Sequence, residues 1–154
     1  MTNTTPIPFK RLIFRAVLNE VSPIVARVIS IPDDVEITEL HDVFLSLFGW
    51  NYDPGFSIRI HGQEFNSFQR RSRGKRWRDF HLRRQEKFLY ICDTLDLWEW
   101  EIRVLDVQEG VAEEHDAVCL DGRGAAPPEH CGGPRGYRLM LKRRQQAHRS
   151  ATPP

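Results

Sequence analysis

The feature that most constrains this chain is a change of hydrophobic period within its first third. Lys10 to Leu18 alternates, setting Leu12, Phe14, Ala16 and Leu18 on one side, as a half-buried strand requires because successive side chains point to opposite faces. Asn19 to Pro23 turns the chain. Ile24 to Ile31 is a second β-branched run stopped by Pro32, so the two segments are predicted to pair as an antiparallel hairpin. From Ile37 the period becomes helical: Ile37, Leu40, Val43, Phe44, Leu47 and Phe48 recur every three or four residues, and Gly49 supplies a left-handed stop.

Further strands are predicted at Phe56–His61, Lys87–Asp93 and Trp98–Val107. The last sets Trp98, Trp100, Ile102 and Val104 on one face and Glu99, Glu101 and Arg103 on the other. After Val107 the periodicity weakens, and Cys119 to Tyr137 holds five glycines and three prolines, a composition that predicts an irregular loop. Tyr137 to Gln146 is predicted as a short basic helix. The expected architecture is α+β: a mixed sheet with a ββαβ, β-grasp-like N-terminal half, further antiparallel strands and a Gly/Pro-rich C-terminal loop. With 154 residues and a hydrophobic fraction of 40%, one domain is expected over residues 9–146, flanked by flexible termini at 1–8 and 147–154. No apolar run approaches the ~18 residues that cross a bilayer. A membrane partner is therefore not expected, and three sparse cysteines, Cys92, Cys119 and Cys131, fit a reducing, cytoplasmic setting.

The formal net charge of +1 is the sum of large opposing blocks. Residues 1 to 69 carry five basic and eight acidic side chains, a net −3, whereas residues 70 to 92 carry nine basic and two acidic, a net +7. Residues 93 to 131 hold two basic and eleven acidic groups, a net −9, and residues 132 to 154 hold six basic and none acidic. A local field reaches about 8–10 Å at physiological salt, so such patches act independently. The densest cationic run is Arg70, Arg71, Arg73, Lys75, Arg76 and Arg78, followed by Arg83 and Arg84. Arginine offers forked donors that match phosphate, and Trp77 and Phe80 in the same stretch are candidates to stack on an unpaired base. Nucleic acid is the expected partner of segment 70–84. The competing readings are a solvated loop and an internal partner for the acidic block. The basic tail, Arg135, Arg138, Lys142, Arg143 and Arg144, extends the patch if the fold brings the two together.

Other chemistry is thinly signalled. Glu99 and Glu101, two apart on a strand, stand roughly 6–7 Å from each other, within the range of a hydrolytic carboxylate pair and equally the look of a solvent-facing strand. Asp93 and Asp96 suit a turn, because Asp side chains bond nearby backbone amides. Cys92 continues the face of Phe88 and Tyr90 and reads as a core thiol, and His61-Gly62 suits a turn. No catalytic residue is assigned.

Three segments together resemble the plasmid pRiA4b ORF-3-like family, some of whose members are labelled as mobile-element, resolvase-like passengers. They are Ser22 to Arg27 leading through Ile31-Pro32 to Phe48-Gly49-Trp50; Phe88 to Ile102 with Tyr90, Asp93, Asp96, Trp98 and Glu99; and Cys119-Leu-Asp-Gly-Arg followed by Ala126 to Pro134 and Gly136-Tyr137. The resemblance implies an α+β domain. It also marks departures: Pro54, Phe56 and Trp100 stand where relatives commonly show histidines, Ala126 where a cysteine is usual, and His130 where an aspartate is usual. If relatives bind a metal through such groups, most of the set is lost. The remaining candidates are His115, Cys119, His130 and Cys131, with eleven residues between the two cysteines and no close Cys-x-x-Cys pair. A Gly/Pro loop with two buried thiols, without metal or other cofactor, is expected instead. The expectation is thus a non-catalytic binding domain. The alternatives are a degenerate metal-assisted enzyme and a protein-interaction module offering a strand edge or the Trp-rich sheet to another protein.

Overall fold

The computed structural model describes residues 7–51, 53–68, 74–92 and 97–151, with side chains as far as residue 147. The elements run β1 (Lys10–Leu18), β2 (Ala26–Pro32), α1 (Glu39–Phe48), β3 (Phe56–Ile60), β4 (Gln63–Asn66), a 3-10 turn (Trp77–Phe80), β5 (Lys87–Cys92), β6 (Trp98–Glu109), β7 (Val118–Arg123) and α2 (Gly133–Ala151). The strands form one seven-stranded sheet in the order β4-β3-β5-β6-β1-β2-β7. The class is α+β as expected. All six ladders are antiparallel, so the sheet is not mixed.

The predicted hairpin forms, with Arg11 opposite Pro32 and Val17 opposite Ala26. Alternation buries Leu12, Phe14, Ala16 and Leu18 on one face of β1, and the facing side of β6 contributes Trp98, Trp100, Ile102 and Val104. Helix α1 lies on this face. Its Phe44 stacks on Tyr90 with ring centroids 4.7 Å apart and meets Trp100 at 5.0 Å. Gly49 ends the helix at φ 68°, in the left-handed region, where its N–H reaches the last carbonyls. Among the described residues the other face of the sheet is largely open; Ile91 is buried on it, and at the Lys10 end the loop through residues 111–117 is held over it by Arg11.

Three expectations need correction. Strand β4 follows the Gly62 turn and pairs with β3, although only Phe65 of its four residues is buried, too little alternation to be seen. Strand β7 occupies Val118–Arg123, running into the stretch from Cys119 predicted to be loop; it pairs with β2 across a register shift and is exposed throughout. An edge strand with no buried side carries no period-two signal. Helix α2 begins at Gly133 and continues to Ala151, through the boundary expected at residue 146.

Candidate functional site

The basic segment is divided by the fold. Arg70, Arg71 and Arg73 lie outside the described residues. Lys75 and Arg76 are exposed beside Glu36 and Ile37, where the Ile37 amide donates to the Lys75 carbonyl at 2.9 Å. Trp77 is fully buried, edge-on to Phe14 at 5.1 Å and tilted against Phe88 at 5.4 Å, so it does not offer a face to a base. Its ring closes the end of the core between β1 and β5, and burial of so large an apolar surface outweighs any advantage of leaving it in water. Phe80 is half-buried against Phe65, ring centroids 5.4 Å apart. Arg78 turns inward to Asp33 and Asp34, 3.6 and 3.9 Å away. Arg84 stands 2.5 Å from Asp106. The amide of Gln108, the Val107 N–H and then Arg84 hold the Asp106 carboxyl below the usual carboxylate range. Arg83 is exposed, and its backbone N–H caps the Glu86 carboxylate at 3.0 Å.

Beyond Arg84 the cations continue across the open face on residues that the block sums did not single out. Register sets Lys87 of β5 opposite Arg103 of β6, and Arg103 opposite Arg15 of β1. Three like charges stand side by side on three strands, an arrangement that costs stability. Lys87 has Glu101 at 3.4 Å and Arg103 donates to the Gln85 side chain at 2.8 Å, but Arg15 is exposed with no ion pair among the described residues. The basic block thus passes from Lys75 and Arg76, on the side of α1, around the strand ends to Arg83 and Arg84, and on to Lys87, Arg103 and Arg15. Arg15 and Arg103 sit in segments whose totals are negative, and only strand register reveals their alignment. The basic tail does not extend this patch. Arg138 donates to the Glu20 carbonyl at 3.0 Å, beyond one end of β1, whereas Arg78 binds Asp33, which accepts from the Lys10 amide at the other end. The row of Lys87, Arg103 and Arg15 lies on the open side of the sheet, whereas α2 packs Tyr137 against Trp98 on the core side.

The other candidates are dispersed. Cys119 is exposed on β7, its thiol 3.4 Å from the Asp121 carbonyl, and Cys131 is half-buried, so the loop does not hold two buried thiols. His115 is bound to Asp34 at 2.6 Å, away from both cysteines in contacts. Among the described residues no three metal-ligating groups converge. Glu99 and Glu101 project from the open face opposite Ile91 and Leu89; Asp93 and Asp96 lie outside the described residues. Cys92 is a fully buried core thiol, as its strand face predicts.

One polar cluster escaped the sequence reading. His41, on α1 and only 3% exposed, bridges the Tyr90 hydroxyl at 2.6 Å from Nδ1 and an Asp53 carboxylate oxygen at 2.7 Å from Nε2. A carboxylate only accepts, so Nε2 carries the proton and Nδ1 accepts from Tyr90 in the neutral ring. Phe56 stacks on the imidazole at 4.7 Å. The His41 bond first and the Gly55 amide second hold the Asp53 carboxyl below its ordinary range, while burial pushes the Tyr90 phenol well above its own. His41 interrupts an otherwise apolar stripe, which was the available signal.

The Gly/Pro segment acts as a clamp over the core. Trp50 donates its indole N–H to the Pro127 carbonyl at 2.9 Å, Tyr137 donates to the Ala125 carbonyl at 2.5 Å, and the Asn51 amide donates to Glu129. Tyr137 is buried edge-on to Trp98, ring centroids 6.2 Å apart. A sequence profile for the plasmid pRiA4b ORF-3-like proteins matches residues 10–152, which takes in the clamp, the sheet and α1. The chain belongs to this family. The uncharacterized protein y4hQ of Sinorhizobium fredii (strain NBRC 101917 / NGR234) is 27% identical over 136 residues, covering 80% of this chain and 67% of that one. In fold the chain is similar to the protein of unknown function MM3350 from Methanosarcina mazei Go1, with a TM-score of 0.72 at 20% identity, covering 87% of this chain and 80% of the other. Within this pRiA4b ORF-3-like domain, the segments that carried the resemblance, Phe48-Gly49-Trp50, Tyr90 with Trp98, and Ala126 to Tyr137, meet in one place. They meet as packing and hydrogen bonds.

Proposed function

We propose that this pRiA4b ORF-3-like protein is a non-catalytic binding domain that engages the phosphates of a nucleic acid through the open face of its sheet. The supporting observation is the register of Lys87, Arg103 and Arg15. Repulsion among the three is relieved when an anion lies across them, and among the described residues Arg15 has no carboxylate of its own to give up. Arg83 and Arg84 flank the row, and Lys75 and Arg76 supply further charge at its margin; Arg70, Arg71 and Arg73, outside the described residues, precede them in the sequence. With Trp77 and Phe80 turned inward, the contact is electrostatic, with phosphate rather than base as its object.

The test is fluorescence anisotropy with labelled single- and double-stranded oligonucleotides across a salt series. Neutralising three phosphates predicts that log K falls with log salt at a slope of about −2 to −3. The paired substitution Arg15→Glu with Arg103→Glu is expected to weaken binding and to lower the slope by roughly 1 per residue. Absence of binding at low salt, or binding that this double variant leaves intact, overturns the reading.

A further inference from the structure

Two strongly charged surfaces of opposite sign are left without a countercharge among the described residues. The first is a cavity of about 450 Å³ at the Lys10 end of the open face. Ile13, Val118 and Leu120 give it an apolar floor, and Glu113, Glu114 and Asp116 form its rim. Val118 and Leu120 are 47% and 55% exposed. Arg11 fixes this rim by its backbone: its guanidinium donates to the carbonyls of Glu114 and Asp116, each at 2.5 Å, and to the Ser30 hydroxyl at 2.7 Å. The three rim carboxylates are thereby held in place and exposed, and no cation pairs with them among the described residues.

The second surface is the outer side of α2. Tyr137 and Leu141 turn toward the core, and Leu139, Lys142 and Arg143 lie on the opposite side at helical spacing. Leu139 is 49% exposed, and residues 142–147 are exposed all round. None of Arg135, Arg138, Lys142, Arg143 and Arg144 pairs with a carboxylate among the described residues. An apolar knob flanked by cations thus faces solvent at one place, and an apolar floor rimmed by carboxylates faces solvent at another.

They do not meet within one chain. Tyr137 packs on Trp98, on the core side of the sheet near Glu20, whereas Ile13 points to the open side near Lys10. The sheet lies between them. We propose that the groove receives α2 of a second copy of this chain, with Leu139 on the floor of Ile13, Val118 and Leu120 and with Lys142 and Arg143 against Glu113, Glu114 and Asp116. The complementarity of charge is what selects this occupant: the helix carries five described cations and the rim three carboxylates, none in an ion pair among the described residues, and joining two chains of net charge +1 accumulates little repulsion. The cation row of the proposed nucleic-acid face is not used, so the two readings fail separately.

Sedimentation equilibrium of nuclease-treated protein at low and high salt tests the contact, with circular dichroism to show that each variant is folded. The wild-type chain is expected to self-associate at low salt and to dissociate as salt is raised. Reversing the rim (Glu113→Lys, Glu114→Lys, Asp116→Lys) or the helix (Lys142→Glu, Arg143→Glu) is expected to weaken association by about tenfold or more. An equimolar mixture of the two reversed chains restores it, because each then presents the sign the other lacks. A wild-type chain that stays monomeric at low salt, or association that survives both reversals, overturns the proposal.

Discussion

At the scale of the residue, His41 is the most exacting position. It sits in the apolar stripe of α1 and is tolerated there only because both ring nitrogens are satisfied, one by Tyr90 and one by Asp53. His41→Leu is expected to strand the buried Tyr90 hydroxyl apart from its weak bond with the Cys92 thiol, and to cost about 1–3 kcal/mol in urea unfolding. Adding Tyr90→Phe removes the stranded group, so the double variant should be more stable than His41→Leu alone; equal or lower stability would show that the hydrogen bond is not the issue. Within this cluster Asp53 carries an acid-side pH dependence. Its folded pKa lies below the unfolded value of about 3.9, so its contribution is complete above that value and is lost as pH falls through the lower, folded one. Comparing Asp53→Asn with wild type, the stability gap should be constant near neutrality and close toward strongly acid pH. A gap that widens on acidification would reverse the assignment.

At the scale of the element, strands with one buried side were legible and those without were not. β1, β2 and β6 announce themselves because Leu12, Phe14, Ile29, Ile31, Trp100 and Ile102 recur at period two. β7 is silent because none of its six residues is buried, and Gly122 within it reads as a turn residue. The cation row was half legible: alternation sets Arg103 outward, but its alignment with Lys87 and Arg15 is a property of pairing between distant strands. Trp77 was misread for a related reason, since a tryptophan among arginines resembles a stacking platform until the core it fills is known. The Gly/Pro clamp was legible as a motif and illegible as a mechanism. A Cβ on Gly136 would fall 1.8 Å from the Cys131 carbonyl oxygen, which is why the first turn of α2 needs glycine there. Gly136→Ala must therefore displace the loop from α2. Tyr137→Phe should lose the bond to the Ala125 carbonyl, about 0.5–1.5 kcal/mol, with the helix retained. If urea midpoints rank Gly136→Ala as the milder change, the clamp is looser than this geometry requires.

At the scale of the molecule, the sheet order places the first strand and the sixth side by side at its centre. β1 pairs with β6 along its whole length, Lys10 opposite Glu109 and Leu18 opposite Trp100, so the innermost ladder joins residues that enter the chain far apart. Closing so long a loop costs entropy before any of the pairing is gained, which slows folding more than it weakens the folded state. The same topology sets a gradient of local stability. β1 and β6 have neighbours on both sides and a core face holding Phe14 and Val104 at zero exposure, whereas β4 and β7 pair on one side only. Native-state hydrogen exchange should therefore find the slowest amides in β1 and β6 and the fastest ladder amides in β7, whose opening need not disturb the core. A chain ended before Trp98 loses the partner of β1 and the tryptophan face together, and it should remain unfolded by circular dichroism. A folded fragment would mean that the hairpin, α1 and the strands up to β5 form a core of their own, and that β6 joins a sheet already made.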